Sequence, residues 1–283
     1  MAEGFILKWS SYRLDLTRRT HIMGILNVTP DSFSDGGLYL NTDKAVERSF
    51  EIEKEGADII DIGGESTRPG ALPLSPEEEL SRVVPVIEKL KSRLRIPISI
   101  DTYKAEVARE AIKAGASIIN DISGLRFDPE IASVSAEYDV PVVIMHIKGT
   151  PRDMQINPVY QDLIGEIRHF LEEGISIAQK AGVDDDMIII DPGIGFGKTF
   201  EHNLEIINRL DEFRSLGMPI LLGPSRKSFI GKILDLPPGD RLEGTAAAVA
   251  IGIMKGANIV RVHDVSSIVR VARVVDAITH GGL

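Results

Sequence analysis

The chain of 283 residues contains no cysteine. Disulfides, thiolate metal ligands and a cysteine nucleophile are therefore excluded. Nor does it need staples, since a chain of this length buries about three quarters of its unfolded surface. Long apolar runs are missing too: the stretch 246–254 falls far short of the ~20 residues of a membrane span. Positive charge is scarce, with 32 Lys and Arg against 42 Asp and Glu and a formal net charge of −10. That balance argues against nucleic acid as a partner, although a locally positive pocket could still take an anionic substrate. Residues 1–16 show no basic segment followed by a sustained apolar stretch, so no signal peptide and no membrane attachment are expected. No proline- or serine-rich linker divides the sequence. One domain over residues 1–283, soluble and cytoplasmic, is the expectation.

What the chain does have is a repeated alternation. Residues 5–16 read as two short strands around Trp9-Ser10-Ser11. Eight apolar runs follow, at 21–26, 58–62, 97–100, 117–120, 141–145, 187–190, 219–222 and 258–262. Amphipathic helical patterns lie between them, among others at 43–55, 77–94, 104–114, 160–181 and 241–255, with a last one at 265–278. Strands this uniformly apolar belong in a parallel sheet covered on both faces. The α/β pattern predicts a (β/α)8 TIM barrel with an N-terminal β-hairpin closing its bottom; a doubly wound open sheet is the alternative. Glycine recurs at the helix-to-strand turns as Gly56, Gly115 and Gly256, where a left-handed cap is needed.

Catalytic groups of such a barrel sit at the C-terminal strand ends. Those ends carry Asn27, Asp61, Asp101, Asn120, His146, Asp191, Lys227, Arg261 and His263. Any one could be a helix cap; a full rim of them points to an enzyme. The first run feeds MGILNVTPDSFSDGG at 23–37, longer than the roughly 2–6 residues of an ordinary strand-to-helix loop. The second feeds DIGGESTRPG at 61–70, where Arg68 offers a fork for phosphate or carboxylate and Thr67 a hydroxyl. DPGIGFGK at 191–198 fails as a phosphate loop, because position 192 is Pro. It fails as a dinucleotide fingerprint too, since the third glycine arrives at 197. SRKSFIG at 225–231 places Lys227 and Ser228 where barrels often bind phosphate. Arg261 and His263, two apart, share one side of the last strand, and Asp264 is expected to cap the final helix. Metal motifs are missing, but a Mg²⁺ held by one protein oxygen and substrate phosphates leaves little trace, and Asn27 is compatible with it.

Taken in order, residues 23–37, 58–70, 101–104, 119–121, 145–146, 191–198, 225–228 and 261–265 resemble the dihydropteroate synthase family. The likeness runs from about residue 21 to the end. Ile194, where the family more often has an aromatic, and Lys148, after Met145-His146, are small departures that touch pocket lining alone. The resemblance implies a transferase of folate synthesis and a sulfonamide target. It would condense 6-hydroxymethyl-7,8-dihydropterin diphosphate with p-aminobenzoate, with Mg²⁺ as cofactor and a homodimer as the assembly. It implies that Asp101, Asn120, Asp191 and Lys227 bind the pterin, that Met145, Phe196 and Gly223 shape its slot, and that Arg261 stacks on it. Thr67, Arg68, Arg261 and His263 would hold the diphosphate and Asn27 the metal. Phe33, Thr67, Pro69 and Ser228 would border p-aminobenzoate, with Asp35 in a lid over 29–37. Asp101, Arg68, Lys227, Arg261 and His263 would form the catalytic set of a dissociative substitution. Two rivals differ in what they bind or do. A methyltetrahydrofolate methyltransferase has no diphosphate to hold, and a non-catalytic pterin-binding protein would not need the intact rim.

Overall fold

In the computed structural model, residues 4–29 and 38–280 are described, with the backbone alone at 38–41 and 280. Phe33 and Asp35 lie outside the described residues. A hairpin comes first: β1 (Ile6–Trp9) pairs antiparallel with β2 (Tyr12–Asp15), Trp9 opposite Tyr12 across the Ser10-Ser11 turn. Leu7, Trp9, Leu14 and Leu16 are buried on one side of it. Asn258, just before the last strand, donates to the Leu16 carbonyl at 3.4 Å, so the hairpin closes the N-terminal end of the barrel.

The barrel strands are β3 (His21–Asn27), β4 (Ile59–Gly63), β5 (Ile98–Asp101), β6 (Ile118–Asp121), β7 (Val142–Met145), β8 (Ile188–Asp191), β9 (Leu221–Leu222) and β10 (Ile259–Val262). All pair in parallel in the order β8-β7-β6-β5-β4-β3-β10-β9, and a parallel bridge from Ile190 to Ile220 closes the ring. Every residue of β6, β7 and β8 is buried. β-Branched side chains suit strands covered on both faces, and each buried isoleucine contributes roughly 1.5–3 kcal/mol.

The outer ring is α1 (Leu38–Glu55), α2 (Pro76–Leu90), α3 (Ala105–Ala114), α4 (Glu130–Tyr138), α5 (Leu163–Ala181), α6 (Phe200–Asn208), α7 (Ser228–Leu234), α8 (Leu242–Met254) and α9 (Val265–His280). Local chemistry sets the ends. Ser75 and Glu78 form a capping box on α2, with Pro76 in the first turn, Glu77 to Glu79 at its positive end and Lys89 at the other. The pattern at 160–181 begins helically at Leu163 because the Asp162 carboxylate caps the Gly165 N–H at 3.1 Å. The pattern at 77–94 stops at Leu90; Leu94 is buried beyond the helix, in the turn that leads to β5. Gly56, Gly115 and Gly256 all take positive φ.

Strand register decides what faces inward. Asn27 pairs with Gly63, Gly63 with Asp101 and Asp101 with Asn120, which sets these residues on one level at the C-terminal mouth. Met145 pairs with Asp191 farther round.

Candidate active site

The mouth is organised around Arg261. Its Nε donates to Asp61 Oδ2 and its Nη2 to Asp101 Oδ2, both at 2.6 Å. Asn120 Nδ2 reaches the same Asp61 oxygen at 3.1 Å. Asp61 is fully buried, and Oδ1 of both Asp61 and Asp101 is buried with no partner. Such oxygens cost free energy until a donor meets them, so the cluster is poised for N–H groups. Burial drives the Asp101 carboxyl up to about 7; Arg261 pulls it down, and Asp61 beside it pushes it up again. Burial works against the Arg261 charge, but Asp61 and Asp101 outweigh it and hold the guanidinium above its ordinary value.

Sequence position alone puts Asp61 at a strand end. The structure corrects this: β4 continues to Gly63, and Asp61 lies one inward position deeper. A buried carboxylate continues the strand because Arg261 balances its charge.

A second wall comes from 191–198. Asp191 Oδ1 accepts the Gly193 N–H at 2.7 Å; burial raises its carboxyl to about 6, with Gly193 and Lys227 opposing. Gly193 has φ +71°, and a Cβ there would stand 1.9 Å from the His146 carbonyl oxygen. The loop therefore lies directly on the segment after β7. Lys198, 2% exposed, reaches back to His146 Nδ1 at 2.8 Å and to the Phe196 carbonyl at 2.9 Å. Tyr160 donates its hydroxyl to the Gly197 carbonyl and Gln155 its amide to that of Gly195. Phe196 is thus fixed in an apolar cluster with Met145, Ile122, Ile147 and Met154, separate from the main core. Lys227 Nζ sits 4.3 Å from the Phe196 ring centroid. Burial, then Arg261, lowers the Lys227 ammonium to about 8 against the pull of Asp191 and Asp101.

The turn after β9 holds the end of β10. Ser225 Oγ is 2.9 Å from His263 Nδ1, and Arg226 grips the Asp264 carboxylate at 3.0 and 2.5 Å. Asp264 stands at the cap position of α9, its carbonyl accepting the Ile268 N–H at 3.1 Å, while its carboxylate anchors this turn. Gly223 lies beside Arg261, where a Cβ would touch the Arg261 Cβ at 3.8 Å. Ser228, first residue of α7, is exposed.

On the other side, Thr67 is half-buried while Arg68 and Pro69 are exposed. Glu65 beneath them takes Lys104 at 2.5 Å and the Tyr103 hydroxyl at 2.7 Å, and Lys104 also pairs with Glu79. The Gly70 N–H bonds the Pro151 carbonyl at 3.0 Å, tying this loop to the one after β7.

Among the described residues, no three His, Cys, Asp or Glu converge as a metal site. Asn27 is half-buried at the end of β3. Because Gly63 has no side chain, nothing on β4 separates the two: a Cβ there would be 3.8 Å from Asn27 Oδ1 and 3.5 Å from Asp101 Oδ2. One amide oxygen beside an open mouth suits a hard cation that keeps water and substrate phosphate as its other ligands.

Asp101, Asn120, Asp191, Lys227 and Arg261 therefore gather at one barrel mouth, with Met145 and Phe196 together as an apolar wall. Asp61 joins them from one level deeper than its expected place at a strand end, and Lys198 and Ser225 complete the site beyond the residues singled out from sequence. The inward alternation Ile59, Asp61, Gly63 gives Asp61 its true level.

A family model described as pterin binding enzyme matches residues 23–263. The dihydropteroate synthase of Bacillus subtilis (strain 168) is 55% identical over 269 residues, covering 95% of this chain and 92% of that protein. Among solved structures, the dihydropteroate synthase from Clostridium difficile in the presence of pteroic acid has a TM-score of 0.88 at 53% identity, over 92% of this chain and 97% of the other. The Xanthomonas albilineans dihydropteroate synthase with 4-aminobenzoic acid has a TM-score of 0.91 at 43% identity, over 98% and 99%.

Proposed function

We propose, from the premise that the chain belongs to the dihydropteroate synthases among the pterin binding enzymes, that it joins 6-hydroxymethyl-7,8-dihydropterin diphosphate to p-aminobenzoate. The products are 7,8-dihydropteroate and pyrophosphate, and the reaction is a step of folate synthesis. The observation that carries this is the mouth itself: Asp101 and Asn120 around Arg261, facing Asp191 and Lys227.

A pterin edge offers ring N–H and amino donors beside acceptors. Asp191 and Asn120 match such an edge, each hydrogen bond to an ionised partner being worth roughly 1.5–3 kcal/mol. Lys227 above Phe196 supplies a donor, and Met145 with Phe196 and Gly223 bounds the slot. Arg261, whose Nη1 has no partner among the described residues, reaches both the ring and the diphosphate. Thr67, Arg68 and His263 complete the anion site. Pro69, Thr67 and Ser228 border p-aminobenzoate, the place that a sulfonamide would contest.

The chemistry is a substitution at the pterin CH₂ group. The C–O bond breaks with both electrons leaving on the diphosphate, and the cation left behind is conjugated with the ring. Asp101 faces that cation. The neutral arylamine nitrogen forms the new C–N bond and then loses a proton to solvent, so no strong base is required. Fixed donors at the leaving group stabilise charge where it develops; losing one typically costs about 3–4 kcal/mol. Mg²⁺, held by Asn27 and substrate phosphate oxygens, would supply further positive charge to the departing group when bound.

The proposal extends to a cytoplasmic homodimer. Ile251 and Met254 on α8 are 47% and 66% exposed, and Val274 and Ile278 on α9 are 61% and 73% exposed. Apolar side chains of this size on two neighbouring helices support a subunit contact there. The test of the activity is to supply the pterin diphosphate, p-aminobenzoate and Mg²⁺ and to look for dihydropteroate together with pyrophosphate. Folded protein that forms neither overturns the assignment.

A further inference from the structure

Two adjacent rungs join the turn after β9 to the end of β10: Ser225 to His263, and Arg226 to Asp264. In the first, Ser225 Oγ accepts the His263 backbone N–H at 3.2 Å and lies 2.9 Å from Nδ1 of the ring. One lone pair is thereby used, and the hydroxyl proton is available for Nδ1. Ser225 is buried, so the hydroxyl has little competition from solvent. In the second rung the Asp264 carboxylate is taken by Nε and Nη2 of Arg226. The neighbouring carboxylate is thus held away from the imidazole, and the ring faces a hydroxyl in its place.

We infer that Ser225 fixes His263 as the neutral tautomer with its proton on Nε2, so that the imidazole meets the diphosphate as a hydrogen-bond donor and not as an acid. This rests on the reading of the diphosphate end given above. A carboxylate at Nδ1 would do the opposite, holding a proton there and favouring the imidazolium. Charge argues the same way. Burial, then Arg261 and Arg226, with Lys227 also nearby, depress the His263 ring to about 3, and Asp264 opposes them without prevailing. A further cation in that cluster would cost more than a neutral N–H. As the C–O bond breaks, both electrons go to the phosphate oxygen and His263 keeps its Nε2 proton.

The test is ¹⁵N spectroscopy of the full-length, ligand-free protein with labelled histidine, His263 being assigned with His263→Gln. The expected spectrum shows Nε2 protonated and Nδ1 bare from about pH 6 to 8, the range in which an unperturbed histidine titrates. Inorganic pyrophosphate should move the Nε2 signal without adding a second ring proton. In Ser225→Ala the tautomer preference should collapse and KM for the pterin diphosphate rise about tenfold, the loss of one hydrogen bond. KM for p-aminobenzoate should stay unchanged, and Ser225→Thr should restore both. On a His263→Gln background, Ser225→Ala should add nothing. A wild-type ring protonated on Nδ1 or on both nitrogens near pH 7 overturns the inference, as does a folded Ser225→Ala that keeps the wild-type tautomer. If Ser225→Ala does not fold, the wild-type and Ser225→Thr spectra decide. Failure to form dihydropteroate would overturn the reaction assignment separately, because the tautomer is read without substrate.

Discussion

Lys198 places its amine 2.8 Å from His146 Nδ1, deep behind the loop that carries Phe196. Burial, and next the positive Lys227, hold the Lys198 amine well below its ordinary value; Asp191 alone pulls the other way. His146 is likewise held well below its ordinary value, by burial and then by Lys198. Burial thus weighs against charge on both the amine and the imidazole that share this hydrogen bond.

That pairing has a thermodynamic signature. The unfolded Lys198 binds a proton that the folded one gives up, so unfolding takes up a proton over the range between the two values. The folded state is penalised as pH falls below the ordinary lysine value, and the penalty fades as pH rises toward it. Lys198→Met should remove this slope. Its Tm relative to wild type should be most favourable near pH 6 and decline steadily as pH is raised toward about 10. KM for the pterin diphosphate should rise throughout, because the Phe196 carbonyl and His146 lose their shared tether. A Tm difference independent of pH would mean that the buried amine stays charged.

The site groups also fix a pH–rate profile. Asp191 at about 6 and Asp101 at about 7 must be ionised to take pterin donors, and Lys227 at about 8 must keep its proton. The kcat/KM for the pterin diphosphate, which reports the free enzyme, should be bell-shaped with its limbs at those values. In Lys227→Met the alkaline limb should disappear while the acid limb stays. Steady-state rates across pH in a constant-ionic-strength buffer decide it, and a Lys227→Met profile that still falls near pH 8 would assign that limb to another group.

Asp61 should matter as much as residues that touch substrate. It is fully buried and shares one oxygen between Arg261 and Asn120. Truncating one partner of a buried, hydrogen-bonded charge pair costs about 2–5 kcal/mol. Asp61→Asn should therefore lower kcat/KM by roughly 30-fold or more at that cost, with the far-ultraviolet spectrum of a folded barrel. Activity within about threefold of wild type would show that Arg261 is held by Asp101 alone.

How much of this could be read from the chain depended on whether the signal was local. Asn27, Asp101, Asn120, Asp191 and Arg261 stand out because a polar residue ends each apolar run on the inward phase, a pattern with period two. Asp61 was placed one level too high because an acid after two isoleucines resembles a terminator. What lets β4 run on is Arg261, 200 positions away in sequence. Ser225 and His263 are separated by 38 positions, and no local pattern marks a hydroxyl aimed at a ring nitrogen. Lys198 was hidden by its likeness to a phosphate-loop lysine, although its amine is turned into the protein. The helices α6 and α7 span 9 and 7 residues, too few turns for a periodic face to emerge.

Two glycines with one backbone angle separate strain from contact. Gly193 and Gly217 both have φ +71°. Around Gly217 an added Cβ meets nothing within 4 Å, whereas at Gly193 it would stand 1.9 Å from the His146 carbonyl oxygen. Gly217→Ala should thus cost the left-handed backbone penalty alone, roughly 1–2 kcal/mol, with kinetics unchanged. Gly193→Ala adds a clash that only backbone movement can relieve, and that movement shifts Phe196 and the Asp191 contact to the Gly193 N–H. It should destabilise by more than about 3 kcal/mol, beyond ordinary surface substitutions. In whatever fraction stays folded, KM for the pterin diphosphate should rise while that for p-aminobenzoate holds. Urea denaturation of both variants beside wild type, followed by kinetics on the folded protein, makes the comparison. Equal losses for the two alanines would mean that the loop over His146 can give way freely, and the wall that Phe196 forms would then be soft.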